Sequence, residues 1–170
     1  MEWFTPRQAA ALVGVVSETF RNWRTLGYIP DCGVLKKRGD DGEVFLNPYW
    51  VYSRDDVLML SLVRIISELG VLKADAAALA AVLAPVVRAE LLGEPHDAAP
   101  YVLVYAKVDA LRPFPFARAG QEEPRVGAVF LDDLSGTRLW SRCGGLLIHV
   151  SGLTEAVPAP VAELFREEAI

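Results

Sequence analysis

Apolar residues recur at helical spacing in two short stretches near the start of the chain. The first stretch follows Thr-Pro-Arg-Gln at residues 5–8, a capping-box pattern, and ends at Gly14. The second is expected to be capped by Ser17 and to end at Gly27. Its inward residues are three apart: Phe20, Trp23 and Leu26. Two short helices joined by a turn of about four residues form a helix-turn-helix, whose second helix enters the major groove of DNA.

Two short extended runs then surround a turn rich in glycine and aspartate. The runs are Val34–Arg38 and Glu43–Leu46, and the turn is Gly-Asp-Asp-Gly at residues 39–42. This pattern predicts a β-hairpin. A basic hairpin directly after a helix-turn-helix is a wing, whose cations can lie over a phosphate backbone. Residues 49–52 are expected to return as an additional strand.

Longer helical patterns follow the hairpin. Ser53 is expected to cap a helix with a wide apolar stripe that ends at Gly70, and Lys73 to about Leu92 predicts a fourth helix. Pro85 is expected to kink or break that helix. The wide apolar stripes indicate a partner surface, which suits dimerisation.

The pattern changes from helical to extended after the candidate linker Gly93–Pro100. Three runs have strand character, and a short terminal helix follows at about residues 158–168. The runs are residues 101–108, 126–131 and 145–150. The predicted fold class is therefore α+β, with an N-terminal winged helix-turn-helix domain followed by helices and a small C-terminal α+β domain.

Three segments are expected from these patterns. They are a DNA-binding domain at residues 1–75, a helix and linker at 76–99 that contributes to dimerisation, and an effector or interaction domain at 100–170. Trp140 with Arg138 and Arg142 is expected to line either a ligand pocket or a dimer surface in the last segment. The sequence leaves these two roles open.

Charge is distributed unevenly along the 170 residues. The formal net charge is −5 with a pI of about 5.1, which argues against a nucleic-acid partner when taken alone. Residues 1–39, however, carry six basic and three acidic side chains, whereas residues 65–170 carry nine basic and fourteen acidic ones. An anionic partner is therefore expected to bind the first third of the chain.

The sequence lacks the motifs typical of secreted, membrane, metal-binding and catalytic proteins. The first residues do not resemble a signal peptide, and no apolar run is long enough to span a bilayer, so a cytoplasmic protein with no membrane partner is expected. Cys32 and Cys143 are too few for a disulfide framework or a zinc site. No phosphate-binding loop or catalytic motif is present, so neither a cofactor nor an enzyme is expected.

Several short motifs occur together in a recognisable order and register. They are Phe4–Ala10 with Val13–Val15, Ser17–Arg24, Leu26–Pro30, and Val51–Val57 leading into Leu58–Gly70. Over roughly residues 3–75 the chain resembles the DNA-binding domain of the MerR family of transcription regulators. The resemblance implies a winged helix-turn-helix that binds a promoter or another specific duplex site as a symmetric dimer, with a later helix pairing the subunits.

The chain departs from this family in three places. Trp23 stands where the family usually has a tyrosine that helps to contact the DNA backbone. Residues 31–51 are longer than the usual wing. Nothing after Gly93 resembles the family's coiled coil or its metal-binding cysteines, so the family's inducers do not carry over.

The candidate DNA-contacting residues lie on the helix-turn-helix, the hairpin and the start of the following helix. They are Arg7, Ser17, Thr19, Arg21, Asn22, Arg24, Lys36, Lys37, Arg38 and Arg54. Arginine can bind guanine and asparagine can bind adenine in a bidentate manner. Each of these side chains has the alternative of simple solvation, and the Ser17 and Thr19 hydroxyls have that of capping.

The function expected from these features is sequence-specific binding of double-stranded DNA by a dimeric transcription regulator. One alternative is an architectural or recombination factor of the excisionase kind, which bends DNA at clustered sites. Another is a protein-binding adaptor that has kept the winged fold without DNA affinity. A protein or small-molecule effector is a possible partner of the C-terminal domain.

Overall fold

The computed structural model describes residues 3–29, 32–38, 44–96, 101–106, 126–131 and 145–166, and it has a mixed α+β fold, as predicted. The side chains of β3 (Tyr101–Ala106) and β4 (Val126–Leu131), of Arg38, and of residues 44–47 and 145–147 lie outside the description. The helices are α1 (Pro6–Val13), α2 (Ser17–Thr25), α3 (Arg54–Glu68), α4 (Lys73–Leu92), α5 (Val150–Ala156) and α6 (Ala159–Arg166). The strands are β1 (Val34–Arg38), β2 (Val44–Val51), β3 (Tyr101–Ala106), β4 (Val126–Leu131) and β5 (Gly145–His149).

The first helix has both predicted ends, whereas the second has the predicted stop before Gly27 but not the predicted cap. Thr5 and Gln8 form the capping box of α1, and Gly14 ends the helix with a φ of +77°, a conformation that glycine adopts without steric cost. The capping role expected of Ser17 is wrong, because Ser17 is the first residue of α2 and the cap position is Val16. The turn between the helices closes through backbone bonds from the Val15 and Thr19 N–H groups, so no side-chain cap is needed to start α2.

The predicted hairpin is present, but its second strand, β2, extends further along the chain than expected. β1 and β2 are antiparallel, with Val34 opposite Val51 and Leu35 opposite Trp50. Residues 49–51 therefore belong to β2 rather than to an additional strand. The register shifts by a bulge between Lys36 and Arg38, which lets β2 be longer than β1.

The long helices α3 and α4 form an antiparallel pair at the centre of the molecule. Ser53 caps α3 as predicted, and it shares a capping box with Asp56. A break at Pro85 does not occur, since α4 is continuous from Lys73 to Leu92. Pro85 and Ala81, whose carbonyl loses its helical partner at the proline, are both exposed, so water can replace the missing bond.

The three predicted C-terminal strands form one antiparallel sheet in the order β4-β3-β5. The expected terminal helix is α6, and α5, which was not expected, directly precedes it. His149 Nδ1 accepts a bond from the Gly152 N–H at 3.3 Å and so caps α5. Trp140, Arg138, Arg142 and residues 97–100 of the candidate linker lie outside the described residues.

The last two helices pack against α3 and α4, and α6 also contacts α1. Buried apolar side chains from Phe4 to Phe165 form a single contiguous cluster. Polar bonds reinforce this packing: Arg54 Nη1 donates to the Leu164 carbonyl at 2.9 Å, and Glu90 accepts from the Ser151 and Thr154 hydroxyls. The segment boundaries near residues 75 and 99 stay a prediction. Within the described ranges, no helix combines the length and apolar character needed to cross a bilayer.

Replacing Glu90 with alanine is expected to lower the free energy of unfolding by about 1.5–3 kcal/mol, the range for hydrogen bonds to a charged group. The substitution leaves two half-buried hydroxyls on α5 without their carboxylate acceptor. Urea denaturation followed by circular dichroism measures the change. Glu94→Ala is the control, because Glu94 is an exposed carboxylate one turn further on, and it should change stability by less than about 0.5 kcal/mol. Equal effects of the two substitutions would contradict this account of the helix contact.

Candidate nucleic-acid interface

Helix α2 has one buried side and one polar, solvent-facing side. Phe20 and Trp23 are 0% and 4% exposed, which fixes the rotation of the helix about its axis. Arg21 and Asn22 are exposed, as expected of residues that contact a partner. The Arg21 side chain is 78% exposed, and its Nη1 lies 3.8 Å from Glu18 Oε2. Such an exposed ion pair contributes little, so Arg21 remains available for another partner.

Two further residues share this outward side of α2. Glu18 and Thr25 are both exposed, and neither was among the sequence candidates. A glutamate can accept a hydrogen bond from the cytosine amino group, and a threonine can contact several bases or a thymine methyl group. Successive residues of an α-helix are rotated by about 100° around its axis. A helical wheel with Phe20 and Trp23 on the buried side would therefore have placed Glu18 and Thr25 on the opposite side. The outward face of α2 is therefore defined here as Ser17, Glu18, Arg21, Asn22 and Thr25.

Arg24 does not lie on this outward face. It is half-buried, and its Nη2 donates to the Cys32 carbonyl and, at 3.4 Å, to the Tyr52 hydroxyl. Its guanidinium carbon lies 3.4 Å from the centre of the Trp50 ring. Position 24 is one helical turn after Phe20, which places it beside the buried side of α2. The structure therefore directs Arg24 toward the hairpin rather than toward the solvent side that carries Arg21.

The cations of the hairpin are divided between its two faces. Successive residues of a strand point to opposite sides. Lys36 is half-buried with its Nζ 5.0 Å from the centre of the Trp3 ring, whereas Lys37 is exposed. The Arg38 side chain and the turn with Asp40 and Asp41 lie outside the described residues.

Four other candidates occupy different surroundings. Arg7 is exposed on α1, and Ser17 is exposed at the start of α2. Arg54 is half-buried and donates to the backbone of α6, so it stabilises the packing of that helix. Thr19 is half-buried and lies at the edge of α2, away from Arg21.

Thr19 borders an open groove of about 300 Å³ between the turn of the two short helices and the α3–α4 junction. The lining residues are Gly14, Val15, Thr19, Trp23, Arg64, Ser67, Glu68 and Lys73. Arg64 is held there by the carbonyls of Val13 and Gly14 and by Glu68. Lys73 is exposed, with its Nζ 4.9 Å from the centre of the Trp23 ring. Lys73 thus adds a cation beside α2 that sequence reasoning missed, because 48 positions along the chain separate it from Thr25.

Cys32 is a buried thiol at the base of the hairpin. Burial, followed by the neighbouring Asp56 carboxylate, raises the pKa of Cys32 well above its ordinary value. Its Sγ lies 3.7 Å from the Asp56 carbonyl. The thiol therefore stays protonated and unreactive in the folded protein. Among the described residues, no three His, Cys, Asp or Glu side chains are placed so that they share a metal ion.

No model of a known protein family matches the chain, and no curated protein is similar enough to match it. The likeness to MerR regulators therefore depends on the order of the short motifs.

Cys32 is expected to react at least about a hundredfold more slowly with a disulfide reagent in the folded protein than in urea, because a stable fold exposes a buried group only through rare opening. The measurement is the rate of colour release from an aromatic disulfide at pH 8 in a Cys143→Ser variant, so that Cys32 is the remaining thiol. The raised pKa predicts that the rate in the folded state stays low as the pH rises to 9. Reaction at the rate of a free cysteine would show that the thiol is accessible.

Proposed function

We propose that the chain binds specific sites on double-stranded DNA through a winged helix-turn-helix and acts as a dimeric, MerR-like transcription regulator. The observation that carries the proposal is the outward face of α2. This face presents Arg21 and Asn22 to solvent while Phe20 and Trp23 hold the helix on the core. Arginine and asparagine are the side chains suited to bidentate reading of guanine and adenine in the major groove.

The elements around α2 support binding to the DNA backbone. In the proposed complex α2 enters the major groove, and the start of the helix brings the Ser17 hydroxyl near a phosphate. Lys37 on β1 and Arg7 on α1 are exposed cations that can contact phosphates on either side. Lys73 extends this set at the edge of the groove beside Thr19.

The acidic total charge is compatible with this proposal because the charge is uneven. The net charge is −5, yet residues 1–39 hold twice as many basic as acidic side chains. In the proposed complex the acidic remainder repels DNA and so limits contact to the first third of the chain. Local cations supply the affinity.

A dimer is part of the proposal, with the helices between Asp55 and Leu92 as its interface. The solvent-facing side of α4 carries small or apolar residues, namely Ala74, Ala78, Ala81, Val82 and Pro85. Val82, which is 53% exposed, lies among these small side chains. Pairing of this side between two protomers would set the spacing of the DNA half-sites.

Selection from a randomised duplex pool at two salt concentrations, followed by sequencing of the retained duplexes, tests the proposal. An enriched motif in two symmetric halves, with affinity that falls steeply as salt rises, is expected because phosphate contacts release counterions. Enrichment of several direct repeats bound cooperatively would point to an architectural factor instead. No enrichment at either salt concentration would contradict DNA binding and favour a protein-binding adaptor.

Arg21→Ala is expected to remove about 1–3 kcal/mol of discrimination at one base position, whereas Lys37→Ala should weaken binding to all sequences and lower the salt slope by about one. Competition between the enriched duplex and its single-base variants measures both effects. Arg166→Ala is the matched control, because it removes an exposed arginine from α6, a helix that carries none of the proposed DNA-contacting residues. The assignment is wrong if the Arg21 variant binds as the control does.

A further inference from the structure

We propose that Arg24 is a positioning residue that fixes the hairpin to α2, so that the outward face of α2 and Lys37 meet a duplex as one rigid surface. This inference rests on the proposed function. It also gives Arg24 a role different from base or phosphate contact, which its helical neighbour Arg21 is proposed to make.

The contacts of Arg24 reach both strands of the hairpin near its base. Its Nη2 donates to the carbonyl of Cys32, which lies two residues before β1. The same nitrogen lies 3.4 Å from the hydroxyl of Tyr52, which directly follows β2. Its guanidinium stacks 3.4 Å from the centre of the Trp50 ring, and Trp50 is paired with Leu35 across the hairpin. One side chain on α2 thus joins the entry and the exit of the hairpin.

The geometry requires the specific chemistry of arginine. A planar guanidinium can stack its face on an indole while its N–H groups donate in the plane. A lysine ammonium is a compact charge that cannot make both interactions in this arrangement. A neutral side chain of similar length can cover the Trp50 ring, but it leaves the Cys32 carbonyl without its donor.

Two other contacts reach the base of the hairpin, and neither is a directional bond to α2. Phe20 reaches Tyr52 with ring centres 5.6 Å apart, an apolar contact that tolerates rotation. The Gly33 N–H donates to Asp56 Oδ1 at 3.0 Å, which ties β1 to α3 rather than to α2. Arg24 adds directional hydrogen bonds from α2 to the two ends of the hairpin.

A hairpin that is already held in place binds a duplex without a further loss of conformational freedom. Without the Arg24 contacts, binding has to order the hairpin first, which weakens affinity. The number of phosphates contacted in the complex stays the same, so the dependence of affinity on salt stays the same. A residue that itself contacts a phosphate behaves differently, because its removal lowers that salt slope by about 0.9.

The test compares Arg24→Met, Arg24→Lys and Arg21→Met in the full-length chain. All three variants lie on α2, and the two methionine variants remove the same charge from positions three residues apart. Hydrogen exchange of the protein without DNA reports on the hairpin amides, with the α4 amides as an internal check that the fold is intact. Affinity for the enriched duplex is then measured at several salt concentrations.

The proposal expects both Arg24 variants to accelerate exchange at residues 32–38 and 44–52 while exchange in α4 is unchanged. It also expects both to weaken binding about tenfold at every salt concentration, with the salt slope of the original protein. Arg21→Met should leave hairpin exchange unchanged. Original affinity in Arg24→Lys, or unaltered hairpin exchange in Arg24→Met, overturns the positioning role.

Failure of the proposed function gives a different result. If the original protein binds no duplex, DNA binding is contradicted, and hairpin exchange in the Arg24 variants alone decides whether Arg24 holds the hairpin. If the original protein binds and Arg24→Met lowers the salt slope as Lys37→Ala is expected to do, DNA binding stands and Arg24 is a direct contact.

Discussion

Phe20 packs its ring against both Trp23 and Tyr52, with ring centres 5.8 Å and 5.6 Å apart, and the orientation of α2 depends on these contacts. Because Tyr52 lies between β2 and α3, a single aromatic cluster connects α2 to the hairpin and to the central helices. Burial of these rings fixes the rotation of α2 about its axis, so that Arg21 and Asn22 point to solvent. The outward direction of Arg21 and Asn22 is therefore a consequence of packing, and these two side chains themselves contribute little to holding it.

Local periodicity predicted most of the helices and strands. It also predicted the part of the candidate site that lies on α2. The boundaries of α1, α3 and α4 follow from caps and apolar spacing within the segments themselves. The direction of Arg24 was not predictable in this way, because its partners lie 8 to 28 residues further along the chain. Helix α5 was missed for a similar reason: its sequence, with Gly152 and Thr154, has weak helical preference, and bonds from α5 to Glu90 on α4 stabilise it instead.

The internal roles of Arg24 and Arg54 change the electrostatic account of the proposed function. Both were counted among the cations available to DNA, yet each donates to a backbone carbonyl elsewhere in the protein. The exposed cations at the described interface are Arg7, Arg21, Lys37 and Lys73. A small number of phosphate contacts gives each protomer a modest, salt-sensitive affinity. Under the proposal, base reading by α2 and pairing of two protomers supply the remainder.

The central claim is that one face, made by α2 and the hairpin, meets the duplex. Hydrogen exchange of the full-length chain with and without the enriched duplex tests it most directly, because the measurement locates contact along the chain. The account predicts slower exchange on DNA addition at residues 17–25 and 32–38, with α5 and α6 unchanged. Protection of α5 and α6 while α2 exchanges at its original rate would contradict it.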